Sequence, residues 1–305
     1  SAPKASEPLR IGVFVYPGFA PFFIAQEKDF FSRHGVNAQI VLLNDPQDSL
    51  AALSSGQVDM ISSSADTAVI FADGGADVRE ILASDIGYGS DGILVRDDVN
   101  QISDLNGKTI YLAVGSPSYF LFRYVTSEEG LSASDFNLVD MPADQVGAAF
   151  LAGKLDYGVS WEPWLSAANQ RSDGKVLLSS QDRSGLITDT FVVRTSVLRA
   201  RRPEVVGVLQ AWFDSVDYLE SNPTEATDIM ARHLSISPAS LFEQLKTVRF
   251  LSVEENLERF DSNRQLGLSD LTLRASQILT TDGLMNAPVD PATLLDSSVL
   301  RDLFR

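Results

Sequence analysis

The chain contains no cysteine, which excludes disulfides, thiolate metal sites and a cysteine nucleophile together. It holds only two histidines, His34 and His233, far apart and each set among ordinary helix-forming residues. Neither a histidine metal cluster nor a Ser-His-Asp triad is therefore expected. No apolar run approaches the roughly 18 residues needed to span a bilayer. Positive charge is also scarce: 24 Lys and Arg stand against 41 Asp and Glu, a formal net charge of −17. A surface of that sign does not suit a phosphate backbone, so nucleic acid is not an expected partner. Arg199-Ala-Arg-Arg202 reads as a solvated helix start. Gly12, Gly87, Gly89 and Gly92 form no ordered phosphate-cradling motif.

What is present suffices for two domains: 305 residues, 44% of them hydrophobic, can bury more than one core. Ser1 to Pro8 are small, polar and proline-bearing, and read as a linker or a mature N-terminus left by signal-peptide removal. Leu9 to Val15 is then an apolar, β-branched strand. Pro21 opens a helix to about Phe31 that Gly35 ends. Asn37 to Leu43 is a second strand, Asp45 or Asp48 caps a helix through Leu53, and Val58 to Ser62 and Val78 to Ala83 are further strands. The same alternation restarts with strands at Thr109 to Val114, Phe136 to Asp140 and Asp156 to Ser160. Such spacing indicates βαβ units and a mainly parallel sheet.

The two halves resemble each other. Ala52-Leu-Ser-Ser-Gly-Gln-Val-Asp59 matches Ala149-Phe-Leu-Ala-Gly-Lys-Leu-Asp156, and the same offset of 97 positions sets Ser64 opposite Trp161. Asp59 and Asp156 read as turn or capping residues. Two α/β lobes follow, one from residues 9–90 with 191–305 and one from residues 91–190. Ser84 to Arg96 and Leu186 to Arg194 join them as a two-segment hinge. From Pro203 the chain becomes a helical tail expected to pack over both lobes.

Ligands of open α/β sheets bind beyond the C-terminal strand ends. The residues there and in the hinge form an inventory. The first lobe offers Tyr16, Phe19, Phe22, Asn44, Asp45, Ser62, Ser63, Ser64 and Asp66. The hinge offers Asp85, Tyr88, Ser90 and Asp91. The second lobe adds Ser116, Ser118, Tyr119, Trp161, Glu162 and Trp164, and the return crossing Thr188 and Asp189. The set is aromatic, hydroxylic and acidic, with no lysine and no arginine. A bare oxyanion is usually met by arginine or lysine, whereas carboxylates beside aromatic faces suit an ammonium or a flat nitrogen heterocycle. A zwitterion would use both ends, its anion on the backbone amides of Gly115-Ser-Pro-Ser118. From this set Tyr16, Phe19, Phe22, Ser63, Ser64, Asp66, Tyr88, Asp91, Ser116, Ser118, Tyr119, Trp161, Glu162, Trp164, Thr188 and Asp189 are the expected ligand contacts. Trp161 is read as a stacking wall and Glu162 as an amine partner.

Several motifs then resemble one family. Tyr16-Pro-Gly-Phe-Ala-Pro-Phe-Phe-Ile-Ala25, Leu53-Ser-Ser-Gly-Gln-Val-Asp59, Ile102-Ser-Asp-Leu-Asn-Gly-Lys-Thr-Ile110, Gly115-Ser116, the 149–156 stretch, Trp161-Glu-Pro-Trp164 and Thr188-Asp-Thr-Phe-Val-Val-Arg194 occur in an order similar to the substrate-binding proteins of ABC importers. The group is that of nitrate, sulfonate and taurine, related to the thiamine-pyrimidine-precursor binders. The resemblance implies a type-II periplasmic-binding-protein fold in an α/β chain that closes on one small molecule and delivers it to a membrane permease. It implies a monomer without cofactor, in a periplasmic or other extracytoplasmic setting, free or lipid-anchored. It also implies ligand contacts from Tyr16–Phe22, Ser62–Asp66, Ser116–Tyr119, Trp161–Trp164 and Thr188–Asp189. A binding protein is expected rather than an enzyme. The alternatives are a nitrogen-heterocycle binder, or a lyase or synthase on the same scaffold; fungal pyrimidine synthases resemble the fold but carry a cysteine-rich motif absent here. A sensor ectodomain on this fold is a further reading.

Overall fold

The computed structural model of the chain describes residues 7–43, 49–168 and 170–303. Asn44, Asp45 and Asp48, and most of the N-terminal linker, lie outside the described residues. Eleven strands are described: β1 (Leu9–Phe14), β2 (Ala38–Leu43), β3 (Met60–Ser64), β4 (Val78–Gly87), β5 (Asp91–Arg96), β6 (Thr109–Leu112), β7 (Asn137–Asp140), β8 (Gly158–Trp161), β9 (Gly174–Ser179), β10 (Thr188–Arg194) and β11 (Val248–Phe250). They form two sheets, one six-stranded in the order β11-β4-β10-β3-β1-β2 and one five-stranded in the order β7-β6-β8-β5-β9. With the helical C-terminal region this is the two-lobed α/β architecture expected of a type-II periplasmic-binding-protein fold.

The parallel part of each sheet follows from βαβ spacing: β1 pairs with β2 and β3, and β6 with β7 and β8. The middle of each sheet does not. β10 runs antiparallel between β3 and β4, and β5 antiparallel between β8 and β9. Both come from stretches expected only as crossings. Their apolar runs, Ile93-Leu94-Val95 and Phe191-Val192-Val193, are fully buried, the pattern of a strand covered on both faces. The chain thus changes sheet between Gly87 and Asp91 and returns between Ser179 and Thr188. All of β10 pairs within the six-stranded sheet, so a boundary after residue 190 falls inside a strand.

The lobes share one electrostatic plan. Asp59, just before β3, accepts hydrogen bonds from the Arg10 backbone N–H at 2.9 Å and guanidinium at 3.1 Å, and from Arg194 at the end of β10. Burial pushes the Asp59 carboxyl up, but these arginine bonds outweigh it and hold the group below the usual carboxylate range. Asp156, just before β8, meets Arg171 at 3.2 Å and Arg96, at the end of β5, at 3.6 Å. The two expected turn residues are therefore anchors for arginines of the central strands. Each central strand reads Asp-x4-Arg, Asp91 to Arg96 and Asp189 to Arg194. The arginine of each is paired at one end of the sheet and the aspartate is carried to the other.

The expected 21–31 helix is two helices, Pro21–Glu27 and Phe30–Arg33. Asp29 between them has a left-handed backbone, φ 58°, a conformation that a short polar side chain tolerates. The tail holds the lobes together. Helix Arg202–Ser221 buries Trp212 against Phe22 and Phe191, ring centroids 4.9 and 4.7 Å apart. Helix Leu268–Thr281 packs on helix Ala65–Asp73 beside the six-stranded sheet and on helix Pro117–Glu128 beside the other. At its C-terminal end Asp282 meets Arg123 at 2.8 Å, both side chains under 5% exposed. Asp282→Ala leaves Arg123 buried without its counter-ion and is expected to cost about 3–5 kcal/mol, read as a lowered urea midpoint at unchanged m-value. A loss under about 1 kcal/mol, the range of an exposed pair, contradicts the clamp.

Candidate ligand-binding cleft

A cleft of about 290 Å³ lies between the two sheets, at the C-terminal ends of β1, β3 and β8. The structure brings eight of the sixteen expected residues to its wall: Tyr16, Phe19, Ser63, Ser64 and Asp189 from the first lobe, and Asp91, Trp161 and Glu162 from the second. Sheet pairing explains the convergence. Asp189 lies opposite Ser64 on β3 and opposite Asp85 on β4, while Asp91 lies opposite Trp161 on β8. Phe14, Val15, Pro17, Leu43, Pro117 and Ile187 add apolar surface, and Ser49, Thr67 and Gln244 add neutral polar groups. Among the described residues no lysine or arginine is on the wall.

The polar groups here are short of partners. Asp85 is fully buried, and its Oδ1 has no hydrogen-bond partner; Ser84 Oγ donates to its Oδ2 at 2.9 Å. The Tyr16 hydroxyl and Ser63 Oγ are also buried and unpartnered. Burial and then the Asp85 charge push the Asp189 carboxyl well above the usual range, and burial likewise raises Asp85, within hydrogen-bonding reach of it. Two like charges directly opposed disfavour joint ionisation. Burial lifts Asp91 to about 6, although Ser90 Oγ donates to it at 2.7 Å. It lifts Asp66, behind Ser64, to about 7. Gly18 is required beside Asp85: a Cβ there would lie 2.8 Å from that carboxylate and 2.4 Å from the Tyr16 ring. Glu162 faces the cleft while accepting hydrogen bonds from the Ser166 N–H at 3.1 Å and Oγ at 2.8 Å. It therefore also caps the helix Trp164–Ala168.

The other eight expected residues are off the wall. Phe22 sits in the core, fully buried between Phe191 and Trp212. Trp164 packs its ring on Gly147, where even a Cβ would lie 2.2 Å from it. Tyr119 spends its hydroxyl on Asp282 at 2.8 Å, Ser116 on the Ala113 carbonyl at 2.6 Å, and Thr188 on the Gly185 carbonyl at 2.9 Å. Ser118 and Asp66 are buried away from the surface of the cleft, and Tyr88 is 41% exposed. Helical periodicity already marks Phe22 as a core position; the partners of Tyr119 and Trp164 are distant in sequence and leave no local trace.

Three polar wall residues are absent from the strand-end inventory, the first being Ser49 at the start of helix Ser49–Ser54. Thr67 stands one turn into the helix after Ser64, accepting from Ser64 Oγ at 2.9 Å, and a search one turn past each strand would have found it. Gln244 arrives from helix Pro238–Leu245 of the tail with no signal in the sequence. The two histidines are remote surface groups, His34 on Asp214 at 2.7 Å and His233 on Glu27 at 2.8 Å. A second cavity of about 320 Å³ opens among Arg79, Arg199, Arg202 and Asp296 at the far ends of β4 and β10. Acidic groups meet its charge, Asp77 on Arg79 and Asp302 on Arg202, and no aromatic wall encloses it.

Known proteins share this framework. The family described as NMT1/THI5 like matches residues 16–226. A Brucella abortus (strain 2308) protein named as a binding protein is 24% identical over 93% of this chain and 88% of its own length. A Bacillus subtilis (strain 168) protein named as an aliphatic sulfonates-binding protein is 26% identical over 74% of this chain and 69% of its own. The crystal structure of the periplasmic aliphatic sulphonate binding protein SsuA from Escherichia coli superimposes with a TM-score of 0.78 at 18% identity, covering 97% of this chain and 100% of that one. The chain belongs to the NMT1/THI5-like family and has the periplasmic-binding-protein fold of the solute-binding components of ABC importers.

Proposed function

We propose that the protein captures a small amine-bearing or zwitterionic solute between its two lobes and hands it to an ABC permease, outside the cytoplasm and without catalysis. Similarity to binding proteins supports the capture role. Among the described residues no helix is long and apolar enough to cross a membrane. The observation that carries the choice of ligand is the cleft's polarity: Asp91, Asp189 and Glu162 line it beside Tyr16, Phe19 and Trp161, with no cationic side chain. Carboxylates and aromatic faces together favour a desolvated cation. A zwitterion's anionic end would face Pro117, at the N-terminus of the helix Pro117–Glu128, where the helix dipole favours negative charge. Contacts from both lobes exist together only when the cleft is closed, so the solute shifts the population toward closure.

The three named relatives are binding proteins, two of them for sulfonates. An aminosulfonate reconciles that specificity with the acidic wall, since it carries both charges. A thermal-shift panel of taurine, alkanesulfonates, betaines, polyamines and pyrimidines tests the choice. An amine or aminosulfonate at 100 times its dissociation constant stabilises by about 2.7 kcal/mol. Stabilisation by simple alkanesulfonates alone contradicts the proposal. Trp161→Ala is expected to weaken binding of the hit at least tenfold, about 1.4 kcal/mol, without lowering the melting temperature. Unchanged affinity by calorimetry removes Trp161 from the site.

The acidic interior also predicts how the free protein responds to pH. Carboxyls whose folded values are raised, Asp91 to about 6, Asp66 to about 7 and the buried Glu80 to about 8, bind protons more tightly folded than unfolded. Their stabilising contribution is complete below the unfolded value near 4 and is lost as pH rises through the folded values. Asp59, held low by its arginines, acts in the opposite sense only below about pH 4. The melting temperature of the ligand-free protein should fall from about pH 5 to about pH 8; a rising or flat profile contradicts the assignment.

A further inference from the structure

We propose that Asp85 and Asp189 share one proton in the empty cleft and that the ligand's cation displaces it, so the site selects cations bearing N–H donors and releases a proton with each capture. The proposal rests on the cationic reading above and narrows it to a chemical class: primary ammonium, amidinium or guanidinium groups rather than quaternary ammonium.

The geometry begins with the register. Asp85 and Asp189 face each other on adjacent antiparallel strands, and both are at least nine-tenths buried. Among the described residues no element around them supplies a counter-ion. Tyr16 comes from the turn after β1, Asp91 from β5 and Asp66 from the helix after β3, and each anion there adds negative charge. Glu162 acts on Asp91 from the second lobe. On β11 the residue opposite Asp85 is Phe250, and neighbouring Arg249 is spent on Glu255. A proton is the compensation left to the pair.

A separate observation points to an incoming donor. Ser63, 7% exposed and on the cleft wall, has an Oγ without a partner, and the hydroxyl of Tyr16, also on the wall, has none. A buried polar group left unpaired is costly, so each favours a ligand that brings its partner. An ammonium brings three N–H donors and a guanidinium five, whereas a quaternary ammonium brings none and would leave these acceptors empty. The charges balance. Before capture the pair carries one negative charge and one proton; afterwards it carries two negative charges beside the ligand cation, and the proton has left for solvent. An adjacent cation favours the ionised carboxylates, which supplies the driving force for release.

Benzylamine, benzyltrimethylammonium and benzyl alcohol present one ring with an N–H cation, a donor-free cation and a neutral donor. Isothermal titration near neutral pH, in two buffers of different ionisation enthalpy, gives affinities and protons released. Benzylamine is expected to bind at least tenfold more tightly than the other two and to release close to one proton. Asp85→Asn, with the fold checked by its melting curve, should suppress the release. Benzyltrimethylammonium binding as tightly as benzylamine overturns the donor requirement and leaves the cationic reading standing. Benzylamine binding without proton release overturns the exchange alone. Tightest binding by benzyl alcohol, or no binding by benzylamine at millimolar concentration, overturns the inference and the cationic reading together.

Discussion

The structure is arranged around buried negative charge that the protein itself does not neutralise. Asp85, Asp91 and Asp189 lie at or just behind the cleft with no arginine or lysine on its wall. Other buried charges are paired, Asp59 with Arg10 and Arg194 and Asp282 with Arg123, while Glu80, fully buried off the cleft wall without a hydrogen-bond partner, is pushed up to about 8 by burial. The contrast falls along single strands. β5 and β10 each run from an aspartate without a cation at the cleft to an arginine with a carboxylate at the far end. The fold thus leaves unmet electrostatic demand at the cleft, where a soluble cation can meet it.

This also explains the rest of the local design. Gly18 lacks a side chain because the Asp85 carboxylate needs that space. Tyr16 and Ser63 hold polar atoms in reserve, a cost that a stably folded chain retains where a partner is to arrive. Trp161 stands directly across β8 and β5 from Asp91, so the aromatic face and the charge come from opposed residues on neighbouring strands. Glu162 serves two roles at once, capping the helix behind it and facing the cleft.

Much of this was legible in the sequence, and what was not has definite causes. Parallel βαβ units leave apolar strands, turn glycines and capping residues in local order, so both lobes and half of the cleft residues could be read from strand ends. The central strands read locally as crossings because their pairing partners, β3 and β4 for β10, lie more than a hundred positions away or in reversed order. The shared Asp-x4-Arg spacing of Asp91–Arg96 and Asp189–Arg194 was there to be seen. Periodicity alone cannot separate a short buried strand from other apolar segments. Gln244, and the diversion of Tyr119 to Asp282, depend on where the tail docks, and no local pattern encodes that.

Family membership and fold place the chain beside proteins named for sulfonate binding, while the ligand proposed for its own cleft carries a positive group. A crystal structure of the protein with the solute selected by the binding screen tests this most directly. The account predicts a cationic nitrogen at hydrogen-bond distance, about 2.7–3.2 Å, from the Asp189 carboxyl, with the solute's flat or apolar part against Trp161. A sulfonate or other oxyanion seated on Asp189, or a solute bound outside the cleft, would contradict it.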